Sequence, residues 1–414
     1  MCLKLIVVVR STSDYRMPGG ANPALNAVYY LYAVYLDTLQ DLYKFPLIID
    51  DMPMDNDPRK MFIGGLLLQR PSLLLLGETL YAGFGGICDA FNYTGAVVAV
   101  NLGSRAIYRW ATQAGNDSLY TDDWTKRHGG GAGGVWQAGM GLASDGKDVY
   151  FTIDNGGGVG VNSSVETIPV PGKTHLDILF DSVARVTLDD VEGGGKGVQL
   201  VDWFRPFDYQ ADKESRRQGM GSAGFAILDE AAFSTPQAKR IGVATSRNSK
   251  MYVQDLDNLG GYRQGRNGSD GVLQTIHLDG EVAGGIGSYP LEGGYIYVNP
   301  GNAPLAAYKF TPNTTTSSQL FTLAGKSSAG NSHAVGVGIP TVTSNQGKPG
   351  SGIVWVTEPE KGLLAFKAVP ENGTLVELKL PKVEGAYKYG RPVFGDGRVY
   401  VVDGHGRLIA LGAK

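Results

Sequence analysis

"GGGAGGVWQAGMGLASDGKDVYFTIDNGGG" (129–158) carries eleven glycines in thirty residues. Glycine at that density fits either a phosphate-cradling loop or tight turns around short strands. The phosphate reading needs a strand, a Gly-rich loop and a helix in succession, with Ser or Thr after the Gly-Lys pair or glycines spaced to open a dinucleotide site. Here Gly146-Lys147 is followed by Asp148, and no helical pattern flanks the glycines. "GLASDGKDVYFTID" (141–154) reads instead as strand, turn, strand. The glycines before Val135 then allow close backbone approach near the axis of the fold, or a loop on its face.

Outward from this stretch the same grammar recurs. "TLYAGFG" (79–85), "GAVVAVNL" (95–102), "GVQLVDWF" (197–204), "RIGVATS" (240–246), "KMYVQDLD" (250–257), "YIYVNP" (295–300), "GIVWVTE" (352–358) and "RVYVVDG" (398–404) are short, rich in Val, Ile, Tyr and Phe, and bounded by Gly, Asp or Asn. That is the strand signature. The strands fall into a repeating unit that closes on "LxA" and an apolar residue, as in "LEGGYIYVNPGNAPLAAYKF" and "GDGRVYVVDGHGRLIALG". A unit of four short strands over roughly 40–60 residues predicts a β-propeller.

The expected fold class is therefore all-β, a propeller of about six to seven four-stranded blades. The units lie near 26–68, 69–128, 129–206, 219–278, 284–330, 336–381 and 387–412. Residues 1–25 form a poorly defined N-terminal segment and 26–414 a single propeller domain. The last unit holds only two or three strands, and no strand to complete it is evident before residue 20. Helix signals are few: Ala24–Phe45, which reads equally well in part as strand and turn, and single turns at Ser215–Gly219 and Asp229–Phe233.

Composition narrows function. The 414 residues include 60 glycines, about twice the usual share, and the net charge is −3. So weak an acidic balance gives no broad attraction to nucleic acid or to an anionic membrane, and the chain is expected to be a monomer. The most apolar run, "MFIGGLLLQRPSLLLLG" (61–77), is cut by Gln69, Arg70 and Pro71 and is too short to span a bilayer. Two cysteines, Cys2 and Cys88, cannot build a disulfide framework or a structural zinc site. Six N-x-S/T sequons, at Asn92, Asn116, Asn162, Asn267, Asn313 and Asn372, suggest a secreted, extracellular glycoprotein. The apolar run of the N-terminus is shorter than a signal peptide needs.

"QRPSLLLLGETLYAGFGGICDAFNYTGAVVAVNL" (69–102) and "GGVWQAGMGLASDGKDVYFTIDNG" (133–156) resemble the quinoprotein-like β-propellers of bacteria and filamentous fungi that carry pyrroloquinoline quinone (PQQ)-like repeats. Relatives read QRP-x-LLL, FGSHCD, GGIWQSG and TGNG at the matching places. "GSAGFAILD" (221–229), "GVATSRNSKMYVQDLDNLGG" (242–261), "GSGIVWVTEPEKGLLAF" (350–366) and "YGRPVFGDGRVYVVDGHGRLIALG" (389–412) resemble later blades. The likeness covers about residues 60–414 and implies that one or two N-terminal blades are missing. Departures are Ile87 where relatives have His before Cys-Asp, "AGGIGSYP" (283–290) in place of a His-rich turn, and Asn101 in place of a repeat Asp.

Alcohol-oxidising members of that group hold PQQ between a Trp and a vicinal Cys-Cys disulfide, with a calcium ion bound by Glu, Asn and Asp and an Asp as base. This chain has no vicinal Cys pair. The residues that could contact a cofactor are Trp136, able to stack a planar ligand, Gln137, able to bond its edge, and Arg70, able to hold an anion. Packing between blades or a structural ion pair accounts for the same residues. Asp255, Asp257 and Asn258 alternate as calcium ligands would, although a turn after a strand gives the same pattern. Cys88 beside Asp89 is not an activated thiol, since the carboxylate raises its pKa. His128, His175, His277, His333 and His405 show no metal-ligand spacing.

The favoured expectation is a propeller that binds a small molecule, glycan or protein, without redox activity. The alternatives are a PQQ- and calcium-dependent dehydrogenase of alcohols or sugars, and a polysaccharide-active hydrolase or lyase.

Overall fold

The computed structural model describes residues 4–11, 27–87, 92–120, 129–154, 156, 171–190, 194–210, 219–312, 319–331 and 337–412. Among them lie thirty strands, a single 3-10 turn, Arg266–Gly268, and two helical residues, Tyr209 and Gln210. The strands form seven meanders of three to five strands and one two-stranded hairpin.

The first sheet joins Lys4–Ser11, Val28–Tyr35 and Leu47–Ile48, and the hairpin Met52–Met54/Asp57–Phe62 follows it. The second runs from Leu67–Gln69 to Ile107–Ala111, the third from Ala143–Ser144 to Lys196–Arg205, and the fourth from Phe225–Ile227 to Gln274–His277. The fifth runs from Gly287–Tyr289 to Phe321–Gly330, the sixth from Thr341–Thr343 to Gly362–Lys367, and the seventh from Val393–Gly395 to Leu408–Gly412. Short parallel additions stitch neighbours together: Gly261–Tyr262 joins the third sheet and Thr374–Leu375 the fifth.

The strand–turn–strand reading of 141–154 holds, with Ala143 opposite Tyr150 and Ser144 opposite Val149. Sheet boundaries follow the sequence units closely from residue 67 onward. One expectation fails near the N-terminus. Ala24–Phe45 is no helix where it is described: Val28–Tyr35 is a strand, with Tyr29, Leu31 and Ala33 buried on one face. Alternation of period 2 in this aromatic run outweighed its loose helical spacing. A strand lies before residue 20, but it joins the first sheet and does not complete the last. Lys4–Ser11 pairs along its whole length with Val28–Tyr35, from Lys4 opposite Tyr35 to Ser11 opposite Val28. The β-branched "LIVVV" run is a strand former whose partner carries both helical and strand periodicity. The turn at Asp229–Phe233 is present, closed by Phe233 N–H donating to the Asp229 carbonyl at 2.8 Å.

Six apolar clusters place consecutive sheets face to face. Leu31 and Tyr29 of the first meet Leu80, Ala82 and Val98 of the second. Tyr81, Val97 and Trp110 meet Val149, Phe151 and Val186 of the third. Tyr150 stacks on Phe225 at 5.4 Å between the third and fourth. The fourth packs on the fifth through Val243 and Ile296, the fifth on the sixth through Tyr297 and Val356, and the sixth on the seventh through Trp355 and Val401. A middle strand covered on both faces is buried throughout, as Thr79–Gly86 and Ile241–Ser246 are. The outward faces of the two terminal sheets stay open, with Val7, Val9 and Ile48 exposed on the first and Val393, Val402 and Leu408 on the last.

The glycine-rich stretch is where the sheets meet. Val135 N–H donates to Phe84 O (3.1 Å), Asp154 N–H to Gly134 O (2.9 Å), Gln137 N–H to Gly221 O (2.8 Å), Ala138 N–H to Ser222 O (3.0 Å) and Ser72 N–H to Met140 O (2.9 Å). The Met140 sulfur fits against Gly224 and Gly285, and Gly139 lies against Ile339 and Tyr389. Residues 134–141 therefore touch the second through seventh sheets, in most cases at the segment leading into the first strand. Gly139 shows why glycine is needed: its φ is +76°, and a Cβ there would sit 2.5 Å from the Tyr389 carbonyl oxygen. Beneath this stretch the fully buried Lys60 donates from Nζ to the carbonyls of Gln113 (2.7 Å) and Gly130 (3.0 Å). Burial pushes its ammonium down to about 7.

Candidate functional site

Arg70 follows the short strand Leu67–Gln69, and Pro71 after it favours an extended approach to the centre of the sheets. Its guanidinium carbon lies 5.5 Å from the Trp136 ring centroid and 5.6 Å from that of Tyr389. Two aromatic rings from distant parts of the chain thus hold one cation. The side chain is exposed. Among the described residues, no carboxylate or other acceptor meets it in an ion pair or hydrogen bond. An arginine retained for structure usually has a carboxylate or carbonyl on its five donors. Arg205 is such a case, donating to the carbonyls of Phe180 (3.0 Å) and Ile178 (2.8 Å). Arg70 keeps its donors for solvent or a ligand.

Tyr389 sits in the turn "YKYGR" (387–391). Gly390 N–H donates to the Tyr387 carbonyl at 3.0 Å, and Thr357 Oγ1 donates to the Gly390 carbonyl at 2.6 Å, fixing the turn to the sixth sheet. Two further cations flank Tyr389. Lys388 is exposed, and Arg391 donates from Nε to Thr341 Oγ1 at 3.2 Å. Neither cation has a carboxylate partner among the described residues. Arg70 lies against two aromatic rings, and Lys388 and Arg391 neighbour one of them, Tyr389, in sequence, in a chain whose overall charge is slightly negative. That arrangement attracts and orients an anion.

Trp136 and Arg70, both read from the sequence as ligand contacts, are brought together. Trp136 is buried, packs edge-on against Tyr93 at 6.4 Å, and lies on the backbone of Gly85, where an added Cβ would come within 2.7 Å of its ring. The Gly85 backbone and the Arg70 guanidinium occupy ring surface that a quinone stacked on Trp136 would need, so the residues present do not fit that placement of PQQ. Gln137 is fully buried and has both ends of its amide engaged. It donates from Nε2 to Gly141 O at 2.5 Å and accepts from Thr152 N–H at 3.0 Å through Oε1. It clips the central stretch to the third sheet and turns no polar atom to a ligand.

Asp255, Asp257 and Asn258 form a turn at the end of Lys250–Asp255. The Asp257 carboxylate takes Arg240, Asn258 Oδ1 accepts from Lys173 Nζ at 2.7 Å, and Asp255 Oδ1 caps the turn by accepting from Asp257 N–H at 3.0 Å. One side-chain oxygen of each is committed to a cation or backbone group of this chain. Among the described residues no three His, Cys, Asp or Glu side chains are grouped to hold a metal ion. Cys2, Cys88, Asp89, His128, His333 and 215–218 lie outside the described residues. His175 pairs with Asp177 at 3.2 Å in an exposed position. Tyr389 and Arg391 were missed by sequence reading, although "YGRP" is among the stretches that carry the family resemblance.

No family model matches the sequence, and no curated protein matches it. Solved structures with a similar course of chain include a protein provisionally assigned as a 6-phosphogluconolactonase from Bacteroides uniformis, at 12% identity and TM-score 0.43, covering 98% of this chain and 95% of that one. A periplasmic gluconolactonase from Pseudomonas aeruginosa aligns at 11% identity and TM-score 0.40, covering 92% and 91%. The β-propeller domain of Cps50 (Swd1) from Myceliophteria thermophila aligns at 13% identity and TM-score 0.33, covering 84% and 99%. Likenesses at these scores carry no argument about activity, and the all-β architecture stands on the strand pairing itself.

Proposed function

We propose that the seven sheets are the blades of a β-propeller and that the chain is a binding protein, taking a small carboxylate-bearing molecule at Arg70 beside Trp136 and Tyr389. Face-to-face packing of each sheet on the next, and the meeting of six of them on residues 134–141, support a blade arrangement that is open between the first sheet and the last. One observation carries the function. The Arg70 guanidinium is held between Trp136 and Tyr389, yet is offered no acceptor among the described residues. Aromatic faces fix a guanidinium without using its donors, so the planar fork stays free for bidentate capture of a carboxylate.

Titration monitored by tryptophan fluorescence tests this, with citrate and PQQ as probes, each with and without calcium. Calcium-independent, saturable binding of citrate that is lost in Arg70→Ala supports the reading. Binding of PQQ alone, dependent on calcium and accompanied by dye reduction with alcohols or sugars, would replace it with the dehydrogenase alternative.

A further inference from the structure

Six N-x-S/T sequons stand in the sequence, and the site at Arg70 uses none of them. Asn116, Asn267 and Asn372 fall within the described residues, and all three are exposed. At the first, the hydroxyl residue Ser118 is buried and donates from Oγ to the Gly115 carbonyl at 2.8 Å. The other two share one local structure. Asn267 (φ +55°) and Gly268 (φ +76°) are the central pair of a left-handed turn, and so are Asn372 (φ +49°) and Gly373 (φ +79°). Ser269 N–H closes the first turn on the Arg266 carbonyl at 3.3 Å, and Thr374 N–H closes the second on the Glu371 carbonyl at 3.0 Å.

Turn geometry accounts for Asn-Gly, since both central residues need positive φ. It does not account for the whole sequon. Gln346-Gly347-Lys348 and Asp396-Gly397-Arg398 build the same pair of positive φ angles with neither asparagine nor a following hydroxyl. Where asparagine fills the turn, at 267 and 372, Ser or Thr follows both times. Thr374 is exposed, and among the described residues no hydrogen bond uses its hydroxyl. Space is also available. A Cβ added at Gly268 or Gly373 would meet no atom within 4 Å, so both tips stand clear of the fold.

Their place in the sheets is equivalent. Each turn lies in the excursion that leaves the third strand of its sheet, the fourth or the sixth, and reaches back to the outermost strand of the sheet before it. Gly261–Tyr262 pairs there with Phe204 and Arg205, and Thr374–Leu375 with Lys326 and Ser327. That is the outer rim, at the far side of the sheets from residues 134–141.

We infer that Asn267 and Asn372 are attachment sites for N-linked oligosaccharide, carried at the rim of a chain that passes through a secretory compartment. The donor is an oligosaccharide held on a lipid diphosphate. The asparagine amide nitrogen bonds to the anomeric carbon of the first sugar, the C–O bond to the diphosphate breaks, the lipid diphosphate leaves with the electron pair, and one amide N–H proton is released.

Cell-free translation of the full chain behind a cleavable secretion leader, in the presence of microsomes, tests the inference. Chains that resist added protease have entered the lumen, and only these are read. They should migrate as slower species that peptide-N-glycosidase collapses to one band. Ser269→Ala and Thr374→Ala should each remove one mobility step, and both keep the Asn-Gly pair on which the turn depends. Deglycosylation in heavy-oxygen water, followed by peptide mass spectrometry, should place labelled aspartate at positions 267 and 372. Citrate affinity of the glycosylated chain should equal that of the bare chain, because the rim lies away from Arg70. Protease-protected chains that carry unmodified Asn267 and Asn372 overturn the inference, and so does a mobility pattern that both alanine substitutions leave unchanged.

Discussion

Replacing Gly139 by alanine tests the central packing. The residue has a φ of +76°, and the added Cβ would lie 2.5 Å from the Tyr389 carbonyl oxygen and 3.2 Å from Ile339 Cδ1. A left-handed conformation costs a non-glycine residue about 1–2 kcal/mol. Relieving a clash against backbone adds about 1–3 kcal/mol, because a carbonyl cannot swing aside as a side-chain tip can. Together these give roughly 2–5 kcal/mol. An unfolding entropy of about 2.1 cal/mol/K per residue, over 414 residues, amounts to roughly 0.9 kcal/mol/K, so Tm should fall by about 2–6 °C. The displaced group is the backbone of Tyr389, whose ring holds Arg70. The same substitution should therefore weaken citrate binding without touching the guanidinium. Differential scanning calorimetry and fluorescence titration of one preparation read both effects. Unchanged Tm together with unchanged binding would refute both the contact and the role given to Tyr389.

Three other substitutions test the electrostatics of the core. Lys60 has its pKa lowered by burial from 10.5 to about 7, so the unfolded chain binds more protons between those values. Stability should rise with pH across that window by up to about 4 kcal/mol, and Lys60→Met should flatten the rise in urea unfolding at pH 7 and 9. Asp50 is raised by burial from 3.8 to about 6 despite accepting from Gly64 and Tyr29 N–H, so the folded chain binds the extra proton. Stability should fall as pH rises from about 4 to 6, by roughly 2 kcal/mol, and Asp50→Asn should remove that slope in denaturation midpoints at the two pH values. Arg185 bonds the buried Asp148 at 2.7 Å and the Leu256 carbonyl of the next sheet at 3.0 Å. Arg185→Met strands the carboxylate and should cost about 3–5 kcal/mol in chemical denaturation, with Lys367→Met on an exposed pair costing under about 1 kcal/mol.

Much of the fold was legible because each sheet repeats one local grammar. Strands such as Ile241–Ser246 and Lys250–Asp255 announce themselves by β-branched and aromatic runs ending at Asp, Asn or Gly, and local sequence suffices there. Reading failed at the N-terminus for a non-local reason. Lys4–Ser11 is a strand only with Val28–Tyr35 beside it, and the aromatics of that partner are compatible with two periodicities. The site divides the same way. Arg70 and Trp136 stood out as a charge next to a proline and a tryptophan after glycines. Tyr389 did not, since its role depends on a turn about 250 residues downstream of Trp136 meeting Gly139. Gln137 misled because sequence shows a polar amide but not the two backbone groups that use it. The alternating Asp255-Leu-Asp257-Asn258 pattern looked like a cation site, and in the fold it meets the cations Arg240 and Lys173 of this chain.

A guanidinium at Arg70 whose donors are left for a ligand is the central requirement, so the decisive measurement is calorimetric titration of the wild type and of Arg70→Lys with citrate. Lysine keeps the charge but loses the planar fork and the two-sided ring contact. The account predicts saturable binding to the wild type and affinity about tenfold or more weaker in Arg70→Lys, as expected for a lost bidentate contact. Absence of citrate binding to the wild type, or equal affinity in the lysine variant, would contradict it.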